Sequence, residues 1–124
     1  MKQTLMLKKN YEFKMVLTKG RFYIGKQLKI VILKNVKNFK TLGIAVSTKN
    51  GKAFQRNRAK RIIRESYTKL ENQLTEGNSI VIILNKNFCI DDMSFMEVYQ
   101  EMKNIFEKAK ILKEEEIWKK YVYI

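Results

Sequence analysis

Apolar positions change period several times along the chain, and each change marks an element. From Asn10 onward, Phe13, Val16 and Leu17 form a short stripe at helical spacing. Asn10 is placed to cap that helix, and Gly20 to end it in a left-handed conformation. The period then falls to two. Arg21 to Ile24 reads as a weak strand and Leu28 to Leu33 as a stronger one, with Leu28, Ile30 and Ile32 alternating against Lys29, Val31 and Leu33. The polar stretch Asn35 to Lys40 leads into a third strand, Thr41 to Ser47, which runs into the turn Thr48-Lys49-Asn50-Gly51. These strands are expected to form an antiparallel meander. A helix follows from about Phe54 to Gln73, closing near Gly77; at about 100° per residue its Ala59, Ile63, Ser66 and Leu70 share one stripe. Ser79 to Leu84 is continuously apolar, the pattern of a strand covered on both faces. In the last helix Phe95, Val98, Tyr99, Met102, Ile105, Phe106, Ala109 and Leu112 recur at helical spacing, behind a capping box of Ser94 and Glu97. That stripe is core. Asp91 and Asp92 suit the positive end of the helix dipole without any metal. The order is therefore helix, three strands, helix, strand, helix, an α+β chain.

Composition narrows the class. At 124 residues and 45% apolar the chain suits one domain, 1–124, with residues 113–124 as a C-terminal extension. Trp118, Tyr121 and Tyr123 in that extension suit either a terminal helical turn or a contact with a partner. The net charge of +14 is unevenly placed: 18 basic residues and one acid, Glu12, lie at or before Arg64, against 8 basic and 11 acidic beyond it. Such polarity fits a polyanion. No run approaches about 18 apolar residues and no signal pattern opens the chain, so a cytoplasmic protein without a membrane partner is expected. Cys89 is the only cysteine and is expected to fill space beside Phe88 and Ile90. With no histidine, no Ser/His or Cys/His pair can be assembled, and the glycine-rich phosphate loop is missing too. No catalytic or metal-ligating residue is assigned to the polypeptide.

The charge concentrates in one stretch, Lys52 to Tyr67. Lys52, Arg56, Arg58, Lys60, Arg61 and Arg64 all precede its first acid, Glu65. On the helix, Asn57, Lys60, Arg61 and Arg64 gather opposite the apolar stripe. Arginine grips phosphate oxygens with a planar fork and lysine adds a point charge, so such a row can track a phosphate backbone. A merely solvated helix face usually mixes signs at i,i+4, which this one does not.

The run Arg56-Asn57-Arg58-Ala59-Lys60-Arg61-Ile62-Ile63-Arg64-Glu65 resembles the arginine-asparagine-arginine signature of the protein subunit of bacterial ribonuclease P. Leu7-Lys8-Lys9-Asn10-Tyr11-Glu12-Phe13, Lys19-Gly20 and Leu42 to Ala53 match that family in order and spacing, and the likeness spans about residues 5 to 112. It implies a two-layer α/β sandwich with a four-stranded mixed sheet, a ribosomal-protein-like fold. Its βαβ crossover would be left-handed, against the general preference. It also implies a division of labour in which a catalytic RNA removes the 5′ leader of precursor tRNA with magnesium ions. Those ions would be held mainly by the RNA subunit and the substrate, while the protein binds both RNAs and improves metal affinity. Residue by residue, Arg56, Asn57, Arg58, Lys60, Arg61 and Arg64 would contact RNA, extended by Lys49 and Lys52. A leader cleft between the first helix and the sheet would use Phe13, Leu17, Val31 and Ser47. Leu17 and Val31 stand where many relatives carry aromatics, and Leu84-Asn85-Lys86 replaces the usual Ala-Arg or Ala-Lys, leaving Lys86 to supply the charge.

Other readings differ in what they need. A ribosomal or ribosome-assembly protein would share the charge polarity. A helix-turn-helix DNA reader would need a companion helix where strands are expected, and a polypeptide nuclease would need acids clustered near the basic face. DNA is therefore not an expected partner.

Overall fold

The most uniformly apolar stretch of the chain takes the middle of the sheet. In the computed structural model, which describes residues 3–36 and 38–113, β5 (Asn78–Leu84) lies between β3 (Leu28–Lys34) and β4 (Lys40–Ala45). Outside them lie β2 (Arg21–Ile24), beside β3, and β1 (Thr4–Met6), beside β4, giving five strands in the order β1-β4-β5-β3-β2. The β2–β3 and β3–β5 pairs are antiparallel and the β1–β4 and β4–β5 pairs parallel, so the sheet is mixed, as expected. The helices are α1 (Asn10–Lys19), α2 (Ala53–Leu70) and α3 (Phe95–Lys108).

Three expectations are corrected. The sheet has five strands rather than four, because Thr4–Met6 pairs with Lys40–Leu42; three residues are too few to show a period. The meander does not form, because β5, apolar on both faces, takes the central place and puts β4 on its far side from β3. Nor are there two layers. Ile30, Ile32, Ile80 and Ile82 join one core with α2 and α3, while Val31 and Val81, pointing the other way, join a second with Val16 of α1. Helices therefore cover both faces.

Element ends also shift. α1 starts at Asn10 itself; Lys9 is the cap, its backbone N–H donating to Glu12 Oε1 at 3.1 Å. Gly20 is extended (φ −77°) rather than left-handed. Space requires it there, since a Cβ would sit 2.5 Å from the Val16 carbonyl oxygen and 2.7 Å from Val31 Cγ1. α2 gives way after Leu70 to a 3-10 turn, Glu71–Gln73. α3 stops at Lys108, and Leu112 completes its apolar stripe beyond the helix by bridging to Leu74. The Ser94 cap is as expected, accepting from the Glu97 N–H. Cys89 is exposed, not packed, although Ile90 beside it is buried. The residues Trp118, Tyr121 and Tyr123 lie outside the described region.

Two polar contacts hold the frame. Lys40 is 0% exposed, and its ammonium donates to the carbonyls of Glu71 (2.9 Å) and Leu74 (3.4 Å) and to Gln3 Oε1 (3.2 Å), with Glu76 Oε1 at 3.4 Å. A buried cation thus satisfies carbonyls at the negative end of α2 and ties β4 to it. The Glu101 carboxylate of α3 accepts from the Gln27 and Leu28 N–H groups, the latter at 2.7 Å, and so fixes the β2–β3 turn.

Lys40→Met should lower stability by about 1–3 kcal/mol in urea unfolding, because it strands buried carbonyls with no donor. The Tyr67 phenol gives a second expectation. Burial pushes its pKa well above the ordinary 10.0, helped by the Glu71 and Glu76 charges and opposed by its hydrogen bond with Thr4. The folded state keeps this proton where the unfolded chain releases it, so stability is intact below about pH 10 and falls above it. Unfolding curves between pH 8 and 11 should show a shallower alkaline decline for Tyr67→Phe.

Candidate nucleic-acid interface

α2 sorts its residues by face. Ala59, Ile62, Ile63, Ser66, Tyr67 and Leu70 are buried, whereas Asn57, Arg58, Arg61 and Arg64 are exposed and Arg56 and Lys60 half-buried. The ridge expected from spacing is present on the solvent side. Arg58 does more than face solvent: its Nη1 donates to the Ile90 carbonyl at 3.1 Å and its Nη2 to that of Met93 at 3.4 Å. It therefore also clamps α2 to the 3-10 turn Ile90–Asp92 that precedes α3.

The turn before α2 is built by side chains. Ser47, half-buried, accepts from the Lys49 N–H at 3.1 Å and caps the 3-10 turn Thr48–Asn50, leaving Lys49 exposed. The Lys52 N–H donates to Gln55 Oε1 at 2.9 Å, starting α2 with Lys52 exposed. Asn50 Nδ2 donates to the carbonyls of Asn85 (3.1 Å) and Lys86 (3.2 Å), and Asn85 Nδ2 to those of Gly25 (2.9 Å) and Lys26 (3.0 Å). Two asparagines thus bring the loops of Lys26, Lys49 and Lys86 together. Sequence reasoning missed both Asn50 and Asn85; an asparagine in the connection that follows a strand, able to serve backbone carbonyls, is the signal that could have shown them.

The α1 side of the sheet is partly open. Phe13 and Leu17 are half-buried against a cluster of Leu7, Val16, Val31 and Val81, on which Leu33 and Ile83 also pack. Phe13 lies over Gly43, where a Cβ would come within 2.5 Å of its Cε1, so this glycine makes room for the ring. Val31 is corrected: at 0% exposure it sits beneath α1, against Gly20, and cannot line a cleft. Its cross-strand partner Phe22 is 46% exposed on the same face, as is Ile24 at 73%. Ile24, Lys29, Ile83 and Phe88 line a groove of about 570 Å³, with Lys26 and Lys86 beside them. Ile83 lines this groove and also packs on the apolar cluster that Phe13 and Leu17 pack on.

Among the described residues no three of His, Cys, Asp and Glu gather as a metal site, and no helix is long and apolar enough to cross a membrane. α2 is flanked in the chain by β4 and β5, where a helix-turn-helix reader would need a companion helix.

Comparison with known proteins decides the family. The family model for ribonuclease P matches residues 1–110. The chain belongs to the ribonuclease P protein family. The ribonuclease P protein component of Fusobacterium nucleatum is 35% identical over 109 residues, 86% of this chain and 97% of that protein. That of Clostridioides difficile is 34% identical over 110 residues, covering 88% and 95%. The solved ribonuclease P protein of Staphylococcus aureus superposes with a TM-score of 0.76 at 27% identity, over 87% of this chain and 97% of its own. The Thermotoga maritima protein gives 0.76 at 26%, over 83% and 96%. The chain is thus a protein subunit of ribonuclease P, with the RNA subunit as its partner in RNA-catalysed tRNA processing.

The two arginines should separate in stability measurements. Arg58→Ala, which removes donors from two backbone carbonyls, should cost about 1 kcal/mol in urea unfolding, whereas Arg61→Ala should stay within about 0.5 kcal/mol of the parent.

Proposed function

We propose that α2 grips the RNA subunit through Arg56, Asn57, Arg58, Lys60, Arg61 and Arg64, with Lys49 and Lys52 extending the contact and Arg58 also keeping its bonds to the Ile90 and Met93 carbonyls. The groove lined by Ile24, Lys29, Ile83 and Phe88 would take the single-stranded 5′ leader of precursor tRNA. The observation that carries this reading is the position of the ridge: an acid-free row of cations from Lys52 to Arg64 on the solvent face of a helix whose opposite face is buried. Its groove arm rests on Phe13, Leu17, Lys29, Ile83 and the exposed Phe22 and Ile24, with Val31 replaced as a lining residue. Exposed aromatic and apolar side chains give unpaired bases surfaces to stack on, and Lys26, Lys29 and Lys86 meet the phosphates between them.

In this reading magnesium is held by the RNA subunit and the substrate. When bound there, magnesium would supply an activated water and stabilise charge on the leaving oxygen. The arginines lower the repulsion between the substrate and RNA backbones, so that both can assemble where divalent ions are scarce. A protein that acts on precursor tRNA would work in the cytoplasm, and the family likeness supports a left-handed β4-α2-β5 crossover.

Two measurements test this. Affinity for the cognate RNA subunit should fall with salt by about 0.7 to 0.9 log units per log unit for each phosphate contact, and the Arg61→Ala, Arg64→Ala pair should flatten that slope in a folded protein. An unchanged slope would remove α2 from the interface. In cleavage assays on precursor tRNA, protein alone should be inert and should stimulate the RNA subunit most at low magnesium. Cleavage at the mature 5′ end by RNA-free protein would overturn the assignment.

A further inference from the structure

Phe54 occupies the position on α2 least suited to a phenylalanine that serves the core. At about 100° per residue it falls within about 20° of Arg61 and opposite the buried stripe of Ala59, Ile63 and Leu70. Its side chain is 69% exposed, and it packs against neither apolar core. Helix initiation does not explain it. With Lys52 as the cap, the positions that form a hydrophobic staple are Gly51 and Arg56.

Its neighbours say what covers it. Asn57, Arg58 and Arg61 follow at i+3, i+4 and i+7, placing cations about 6 Å and about 10 Å along the same face. The face carries no acid before Glu65. A protein partner would need an apolar patch set among acids to use both the ring and the charges. An unpaired nucleotide uses both: its base is a flat apolar surface and its flanking phosphates are anionic. We propose that Phe54 is a stacking platform for an unpaired base of the RNA subunit, held between phosphates that Arg58 and Arg61 contact. The inference rests on the ridge reading of α2 and adds that the ridge selects RNA with an unpaired nucleotide at this point over a continuous duplex.

The test compares Phe54→Ala, Phe54→Leu and Phe54→Tyr, each verified as folded by circular dichroism, for binding to the cognate RNA subunit across a salt series. Alanine and leucine should weaken binding about five- to hundred-fold and tyrosine should preserve it, all with the parent salt slope, because stacking is lost and no phosphate contact is. On a fully paired RNA duplex of matched length the variants should bind alike. In a Trp118→Phe background, Phe54→Trp fluorescence should be quenched by the RNA subunit. Parent-like binding by the leucine variant, equal losses on the duplex, or unquenched fluorescence would each overturn the stacking role. Failure of the ridge itself would look different: the Arg61→Ala, Arg64→Ala pair would then leave the salt slope unchanged.

Discussion

Burial of one face of α2 is the constraint from which the interface follows. Ala59, Ile62, Ile63, Ser66, Tyr67 and Leu70 are buried together, and the large apolar members contribute roughly 1.5–3 kcal/mol each. Rotating the helix enough to hide a single arginine would expose part of that stripe, so the cations have one place to go. Its two ends are fixed by unlike means. At the start, Ser47, Asn50 and Gln55 shape the turn; at the finish, the Lys40 ammonium takes the Glu71 and Leu74 carbonyls. Arg58, bonded to Ile90 and Met93, holds the start against the segment leading into α3.

Lys40 shows how a buried charge is made tolerable. Desolvating an ammonium costs several kcal/mol, and one carboxylate at 3.4 Å with 47% of its side chain exposed would offset little of that. The carbonyls matter more, because they are already oriented by the helix and would otherwise need water of their own. The same corner joins Thr4 to Tyr67 through a 2.8 Å hydrogen bond. Strand β1, only three residues long, is thereby secured by side-chain contacts as well as by its pairing with β4.

What could be read from residues alone was whatever repeats. The α2 stripe, the alternation in β3, the two-sided apolar run of β5 and the stripe of α3 all appear where their periods place them. What escaped was decided by partners distant in the chain. β1 is too short for a period, and the neighbours of β4 depend on which strand competes best for the centre. Val31 shows the limit well: a strand position can be assigned to a face, but whether a helix then covers that face is a tertiary fact. The solvent-facing cations of α2 were legible because their spacing is local. Asn50, Asn85 and Phe22 were not, since their roles arise only when loops and strands meet.

The basic ridge also runs against the rule for its own helix. The first turn of α2 carries no acid, and Lys52 and Arg56 stand at the end where the macrodipole is already positive, each at a cost of about 0.3–1 kcal/mol. α3, by contrast, keeps the rule, with Asp91, Asp92 and Glu97 at its start and Lys108 at its finish. Two helices of one small protein thus treat the same electrostatic preference oppositely. A local penalty of this kind is retained when something outside the chain offsets it. A phosphate backbone does so twice, by neutralising the arginines and by presenting anions to the free N–H groups of the first turn. The end of α2 that is least comfortable in the isolated protein is therefore the end that the proposed RNA contact would relieve most.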